Sequence, residues 1–512
     1  MRNGIRWAAA LIAGSQALFA QPAVLQQLSL GGTGSDRVRT LLPWGEHGVL
    51  LGGDSASETN AVKKAPRQGL SDFWIVATAP DGRVLWDRTY GGSSAEELTS
   101  LVPAQDDEFL LGGTSSSPVS GTKSAPLHGG PDFWLTRIDS QGTPRWDRSF
   151  GGPDIERLAQ ALPLADGGFL LTGYSDSDVG GNKTEPSRGG SDGWLVRINS
   201  AGELLWQRAY GGIGTDTLDA ACELPDGGFL VVGDSDSPPG GDKGDGSHGL
   251  GDVWILRLDR EGQKLWDRTY GGSNVEYAHD LIGLPDGGAV LVATSLSGIS
   301  GNKISPSRGG GATADAYVIR FDGQGNRIWE QTYGGSSVDL LVRGTLTQDG
   351  LLLAGYSSSA PSGNKISPHL GWDDLWLVRI NLDGGLLWET THGSEGSEQG
   401  RAVAVFPDGT FLSAGHLLPI QGKAPALPLF GSDDFYLIRL ASDQPQLRAT
   451  AGPPFRLALT GATHVWHRLD VSSDLRNWTP WRTNRWDAFP VELDDEPQSL
   501  PRFYRAGLVP QP

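Results

Sequence analysis

The sequence predicts an all-β protein: a seven-bladed β-propeller of four-stranded antiparallel blades, with an N-terminal strand closing the last blade and a small C-terminal β-domain. Three observations carry that expectation. The motif WDRTYGG at Trp86 returns as WDRSFGG from Trp146, WQRAYGG from Trp206, WDRTYGG from Trp266, WEQTYGG from Trp329 and WETTHGS from Trp388. These tryptophans stand 60, 60, 60, 63 and 59 residues apart, the fixed period of an array whose units bury themselves against their neighbours. Composition is the second observation: 74 glycines and 32 prolines in 512 residues suit many short strands joined by turns. The third is phase. A frayed copy, LQQLSLGG from Leu25, opens the array, and the last repeat stops at DFYLIRL, Asp434 to Leu440, with no such strand after it. If the Trp strand is outermost, the N-terminal copy completes the seventh blade and ties the two ends of the array together. An open solenoid is the alternative packing of the same units.

Taken in order, residues 1–20 place Arg2 and Arg6 before an apolar run that ends in small residues, as a secretory signal peptide does, with cleavage after Ala17 or Ala20. The run is shorter than the ~20 residues that cross a bilayer, so a signal anchor is the weaker alternative and no transmembrane anchor beyond the signal peptide is expected. The propeller then fills 21–441, with blades at 36–90, 96–150, 156–210, 216–270, 276–333, 339–392, and 398–441 joined by 24–30. A linker is expected over 442–452 and a β-sandwich-like domain over 453–508.

One repeat shows the strands. In the third copy, ERLAQALPLADGG, FLLTGYSDS, GWLVRINSAG and ELLWQRAYGG are β-rich segments bounded by turn residues, with a long loop, VGGNKTEPSRGGSD, between the second and third. Asp-Gly in ADGG supplies the left-handed backbone of a hairpin turn, and a short N-x-x-G or D-x-x-G turn joins the last two strands, so consecutive strands are antiparallel neighbours. The second strand is apolar on both faces, as in a sheet packed between two others. The fourth alternates, with Trp206, Arg208 and Tyr210 on one side and Leu205 and Gln207 on the other, as a partly wet outer strand should.

The balance of 60 acidic to 41 basic residues, a net charge of −19, repels nucleic-acid phosphate and anionic headgroups, which excludes nucleic acid as a partner class. Cys222 is the one cysteine, so no intrachain disulfide forms, and in DAACELP it reads as a buried thiol.

The spacing D-x-x-G-x-x-x-W (Asp139, Gly142, Trp146; Asp259, Gly262, Trp266) resembles the tryptophan-docking motif of quinoprotein-type propellers, one residue shorter between Asp and Gly. That resemblance implies a clamping role for the Trp and carries over no quinone cofactor, since seven repeats stand here where that family has eight. The whole unit, GNKTEPSRGGSDGWLVRINSAGELLWQRAYGG with DGGFLLTGYSDS, is similar to repeats of secreted bacterial proteins, over about residues 25–440. The tail, with SSDLRNW at Ser472 to Trp478 and RFYR at Arg502 to Arg505, is similar to a small C-terminal domain of exported Verrucomicrobia and Planctomycetes proteins, which implies attachment or surface display.

Counting five residues on from the first Gly of each GG pair, or from Gly393 of the GS pair, lands on Asp36, Glu96, Glu156, Asp216, Glu276, Asp339 and Glu398. In a closed ring these acids start the innermost strands and would encircle one mouth of the channel, where they could bind Ca²⁺ or a cationic partner. The structural alternative is that each accepts N–H bonds from its own glycine turn or pairs with a nearby base. The candidate bases are Lys63, Lys123, Lys183, Lys243, Lys303, Lys365 and Lys423 in the long loops, expected to form an exposed lattice with the acids. Asp72, Asp132, Asp192, Asp252, Asp315, Asp374 and Asp434 open the third strands.

A unique site must break the repeat. Blade five inserts GATADA near Gly311, blade six adds Trp372, and blade seven replaces the loop with PIQGKAPALPLFGSDD. Trp372 is a candidate for stacking on a sugar or a partner surface, or for covering a seam between blades. The nine histidines have no metal-ligand spacing, and His128 and His248 stand where Arg188 and Arg308 stand elsewhere, as donors.

Together these features predict an exported, non-enzymatic binding or scaffold protein, secreted or at the outer envelope of a bacterium, monomeric, and recognising an extracellular protein or glycan on its loop-bearing face. No catalytic residue or cofactor is assigned. The alternatives are a glycoside hydrolase or lyase using channel-mouth carboxylates and a calcium-stabilised structural surface protein.

Overall fold

The computed structural model describes residues 21–45, 48–60, 62–310, 313–418 and 427–443, and in the tail 446–450, 456–460, 466–472, 478–485, 491–494 and 503–509. Residues 1–20, where a signal peptide is expected, Gly311 and Ala312 of the blade-five insertion, Lys423, most of the blade-seven loop and the centre of SSDLRNW lie outside these residues.

Hairpin turns at Asp-Gly and D-x-x-G connect each strand to the next, so the repeat becomes a four-stranded antiparallel meander. Blade two, for example, runs Glu96–Pro103, Phe109–Ser115, Asp132–Ile138 and Pro144–Phe150. Six blades take their strands consecutively. In the seventh, Ser397–Val405, Phe411–Leu418 and Asp434–Leu440 are completed by Val24–Leu30, which pairs antiparallel with Asp434–Leu440. The ring is thus a seven-bladed β-propeller closed by its own N-terminal strand. The first strand of blade four is shorter, Ala220–Glu223, with a single bridge from Asp216 to Ser235 before it.

The core lies between blades. Third-strand side chains are buried on both faces and meet those of the next blade: Phe73 packs on Trp134 with ring centroids 4.8 Å apart, and Phe133 on Trp194 at 4.8 Å. Such offset aromatic pairs stabilise by about 0.5–1.5 kcal/mol beyond their burial.

The outer strand clamps adjacent blades. Trp86, Trp146, Trp206, Trp266 and Trp329 each cover the glycine of the next blade's last turn, Gly142, Gly202, Gly262, Gly325 and Gly384, which have φ between +75° and +80°. The turn needs that left-handed backbone and the indole fills the place of a Cβ; at Gly262 an added Cβ would sit 2.8 Å from Trp206. Tyr90 adds a hydrogen bond across the same seam, its hydroxyl donating to Gly142 O at 2.6 Å, and Tyr270 and Tyr333 repeat it.

The other face of the outer strand is drier than its alternation predicts. Asp87, 5% exposed, accepts from the Trp74 indole at 3.1 Å and from the Lys64 and Ala65 N–H groups of the long loop. Asp147, Asp267 and Glu389 repeat the indole bond. The loop folds down over the strand, which period-two patterning does not register.

The tail is a separate compact unit. It holds two three-stranded antiparallel sheets, one of Gln446–Thr450, Arg456–Thr460 and Val491–Asp494, the other of Thr479–Arg485, Trp466–Ser472 and Phe503–Val509. Gln446–Thr450 lies in the span expected to be a linker. Its polar and apolar residues alternate as in a strand, a pattern hidden in the sequence by Pro445, Pro453 and Pro454.

Candidate functional site

Three features converge where the long loops meet the connections between blades: the acids, the lysines and Trp372. The acids are seated first by their own turns. The second residue of each GG or GS pair donates its N–H to the acid that follows, from Gly32 to Asp36, Gly92 to Glu96, Gly152 to Glu156, Gly212 to Asp216, Gly272 to Glu276, Gly335 to Asp339 and Ser394 to Glu398, at 2.6–3.1 Å. A serine donates to each carboxylate as well. Glu96, Glu156 and Glu276 take Ser115, Ser175 and Ser295, Asp36 and Asp216 take Ser57 and Ser237, two residues further on, and Asp339 takes both Ser357 and Ser359. Glu398 takes Ser394 Oγ. All seven are 0–1% exposed. The structure thus places them inside the seams, with oxygens turned onto the glycine turns, and none lines the channel cavity.

Each acid has a second carboxylate for a neighbour. A Cβ placed on Gly91 would lie 2.1 Å from Asp72 Oδ1 and 2.4 Å from Glu96 Oε2, so only glycine lets the third-strand acid of one blade and the first-strand acid of the next approach it together. Asp132 with Glu156, Asp252 with Glu276 and Asp434 with Asp36 repeat the arrangement at Gly151, Gly271 and Gly31. The third-strand aspartates accept their loop donors at Oδ2, as Asp72 does from the N–H groups of Gln68 at 2.7 Å and Gly69 at 3.4 Å, and their Oδ1 atoms have no hydrogen-bond partner. Burial, and then the facing Glu96, push the Asp72 carboxyl up to about 6. Burial and the Glu276 carboxylate push Asp252 to about 7, and burial with Asp36 pushes Asp434 to about 6. A proton held between two carboxylates makes such a pair tolerable in a dry seam.

The lysines differ from the exposed lattice expected of them. Lys63, Lys123, Lys183, Lys243, Lys303 and Lys365 are 0–3% exposed. Their ammonium groups turn back onto their own loops, Lys63 to Ala65 O at 2.5 Å, Lys123 to Ala125 O at 2.7 Å, Lys183 to Ser177 O at 2.8 Å and Lys365 to Ser367 O at 2.7 Å, with Lys243 on the Ser235 hydroxyl at 2.6 Å. Burial lowers the pKa of each, and nearby carboxylates oppose that shift without reaching ion-pair contact. The physical reason is the loop itself, which needs donors for carbonyls that no strand pairs. His128 and His369 serve similarly, Nδ1 lying 2.9 and 3.0 Å from Asp132 and Asp374. Cys222 is buried, its thiol pushed up to about 12.

With the polar groups turned inward, apolar side chains are left outside. Trp372 donates its backbone N–H to Gly396 O at 2.8 Å, across the seam, while its side chain is 70% exposed. Leu70 and Leu250 occupy the same place in blades one and four, 66% and 70% exposed, and donate to Ser94 O and Asn274 O. Ile366 and Leu370 are exposed on the Trp372 loop.

A further set of residues went unread in the sequence. Three residues after the seam acids stand Arg39, Thr99, Ala159, Asp219, His279, Val342 and Arg401, all lining one cavity of about 280 Å³ in the central channel, with Arg343 beside them. In six blades this residue is a β-bulge, as between Leu98 and Ser100 or Gly400 and Ala402. The extra residue faces the axis while its neighbours keep to the seams. Fixed spacing from the acid is the signal that finds these positions.

No family model matches the chain. A 283-residue stretch, half of the chain, is 26% identical to the regulatory protein FlaEY of Caulobacter vibrioides, and the chain spans 29% of that relative's length. Among solved structures, the WD40 domain of Neurospora crassa Pan2 matches over 81% of this chain and 97% of its own, with a TM-score of 0.42 at 9% identity. Hydrazine synthase of Kuenenia stuttgartiensis matches over 75% and 93%, with a TM-score of 0.41 at 11% identity. Likeness at this level assigns neither a family nor an activity.

Proposed function

We propose that the protein is an exported, non-enzymatic binding propeller of a bacterial envelope or its surroundings, recognising an extracellular protein or glycan on its loop-bearing face, with the tail serving attachment. One observation carries the reading. The loops spend their carboxylates and ammonium groups on their own backbone and leave Trp372, Leu370 and Ile366 outside on a loop anchored across the seam. An aromatic side chain held on a rigid loop offers contact area at little cost in conformational entropy, which is what a recognition surface needs. A glycan array and a pull-down from envelope extracts, run with the parent protein and Trp372→Ala, test it. Binding by the parent that Trp372→Ala weakens about tenfold or more supports the proposal; no ligand above background, or binding indifferent to Trp372, overturns it.

The reading needs no metal. Both carboxylate oxygens of Glu96, Glu156, Glu276 and Asp339 are engaged by N–H and hydroxyl donors, and at Asp36 and Asp216 one oxygen takes both donors. Melting temperatures with and without a chelator are therefore expected to coincide, and a chelator-induced fall would revive the calcium alternative.

A further inference from the structure

The channel offers a site of a different character. Arg39, Arg343 and Arg401, from blades one, six and seven, line one cavity of about 280 Å³, near the lower end of the roughly 300–1,000 Å³ typical of small-molecule sites. Gathering three guanidinium groups is unexpected in a chain of net charge −19, and they are not equally neutralised. Arg39 is paired, Nε to Asp54 at 3.0 Å and Nη2 to Glu97 at 2.8 Å. Arg343 donates Nη1 to the carbonyls of His279 at 2.6 Å and Val342 at 3.3 Å. Arg401 donates Nη2 to Gln399 Oε1 at 2.7 Å and lies over the Tyr356 ring at 5.6 Å, while its buried Nε has no partner. Neither Arg343 nor Arg401 has a carboxylate in ion-pair contact among the described residues. Gln399 explains why for Arg401: its amide stands between the guanidinium and Asp373, donating to Asp373 Oδ2 at 2.8 Å.

We propose that the central channel binds a small oxyanion, a carboxylate or a phosphate group, held by Arg343 and Arg401 with Arg39 behind them. Guanidinium donors suit both ligand groups because their paired N–H bonds match two oxygens of either. Neighbouring groups keep the pocket's charge on the arginines. His279, whose Nε2 lies 2.7 Å from Thr294 Oγ1, is held neutral, its pKa lowered to about 3 by burial and by Arg343 and Arg401. Burial also lowers the pKa of Arg401, and the neighbouring Arg39 and Arg343 add to that shift, a mutual repulsion that a bound anion would relieve. Among the described residues, Asp219 is the one acid lining the cavity. It accepts from Thr217 Oγ1 at 2.7 Å, and it opposes a plain anion while favouring a ligand that carries a hydroxyl opposite its acid group.

The test is calorimetric titration of the full chain at constant ionic strength with sodium phosphate and with sodium glucuronate, against chloride. Saturable 1:1 binding of either supports the proposal: phosphate alone points to a phosphate-bearing ligand, glucuronate alone to an organic acid. Arg343→Gln and Arg401→Gln are each expected to weaken it about tenfold or more. Asp219→Asn is expected to tighten phosphate binding, and Arg260→Gln, at an exposed turn, to change nothing. Melting without anion checks the fold of each variant. Should an arginine variant fail to fold, Thr99→Glu decides, because it leaves all three arginines in place and puts a competing carboxylate in the channel; it is expected to abolish binding. No saturable heat with either anion, or binding that survives both arginine substitutions or Thr99→Glu, overturns the proposal.

Discussion

Glu96 and Thr99 stand three residues apart on one strand and belong to two different regions of the molecule. At the first position every blade has an acid, buried and bonded to its own turn. At the second the blades have Arg, Thr, Ala, Asp, His, Val and Arg, all facing one cavity. The seams repeat because each must solve the same packing problem; the channel varies because its residues face the axis, where the packing of the blades does not fix their identity. Repetition in this chain marks what builds the ring, and variation at a fixed place in the repeat marks where the ring can become specific.

Substitutions on either side sharpen or break that contrast. The largest effect is expected at Gly91→Ala, whose Cβ would lie within 2.4 Å of two buried carboxylates; urea unfolding should show a loss of about 3 kcal/mol. A loss below 1 kcal/mol would mean that the seam yields and is not the rigid element described.

The paired acids also set a pH dependence. Asp72, Asp434 and Asp219 sit at about 6 and Asp252 at about 7 in the folded chain, above the ordinary 3.8, and burial raises Asp234 well above that value too. A raised folded pKa means that the native state holds protons the unfolded chain has released, so this stability is full below pH 3.8 and is lost as pH rises through 6 to 7. His279 at about 3, His392 at about 4 and His416 act oppositely, since the unfolded chain takes up their protons below 6.5. Five acids outnumber three histidines, so the melting temperature is expected to be higher at pH 5 than at pH 8. Asp252→Asn should raise stability at pH 8 by about 1–2 kcal/mol and flatten the slope; a melting temperature that climbs from pH 5 to 8 would show that these acids do not hold their protons.

Smaller effects come from the clamp. Tyr90→Phe loses the bond to Gly142 O and should cost about 1 kcal/mol, whereas Phe150→Tyr supplies the missing hydroxyl opposite Gly202 and should gain about 0.5 kcal/mol. Equal signs for the two would break the view that the seams are equivalent. The smallest change is expected in the channel: Thr99→Ala should alter stability by less than about 0.5 kcal/mol in the same unfolding assay.

The fold was legible because its signals are local or periodic: a 60-residue spacing, Asp-Gly turns, and an outer strand missing at one end and present at the other. The candidate site was legible only in part. Asp72 and Glu96 meet across Gly91 although 24 residues separate them, and nothing in either segment says that their oxygens share one glycine. Lys63 looked like a surface base because sequence records a charge without recording that the loop around it folds inward. Arg401 was hidden because it is itself the bulge between Gly400 and Ala402, which shifts the inside–outside alternation by one residue and defeats a count by twos. Trp372 stood out because it breaks the repeat, and its side chain lies in solvent.

The closing strand has a mechanical consequence. Val24 pairs with Leu440, and the Ala441 N–H donates to Ala23 O at 2.8 Å, so the chain enters and leaves the ring at one point. A force that draws Ala23 and Ala441 apart meets the antiparallel bonds of Val24–Leu30 one at a time, as a zipper does, and would peel off that strand before disturbing any other blade. A force applied through Ala441 alone bypasses that strand. The ring therefore hangs safely from Ala441 and opens readily when held by both ends.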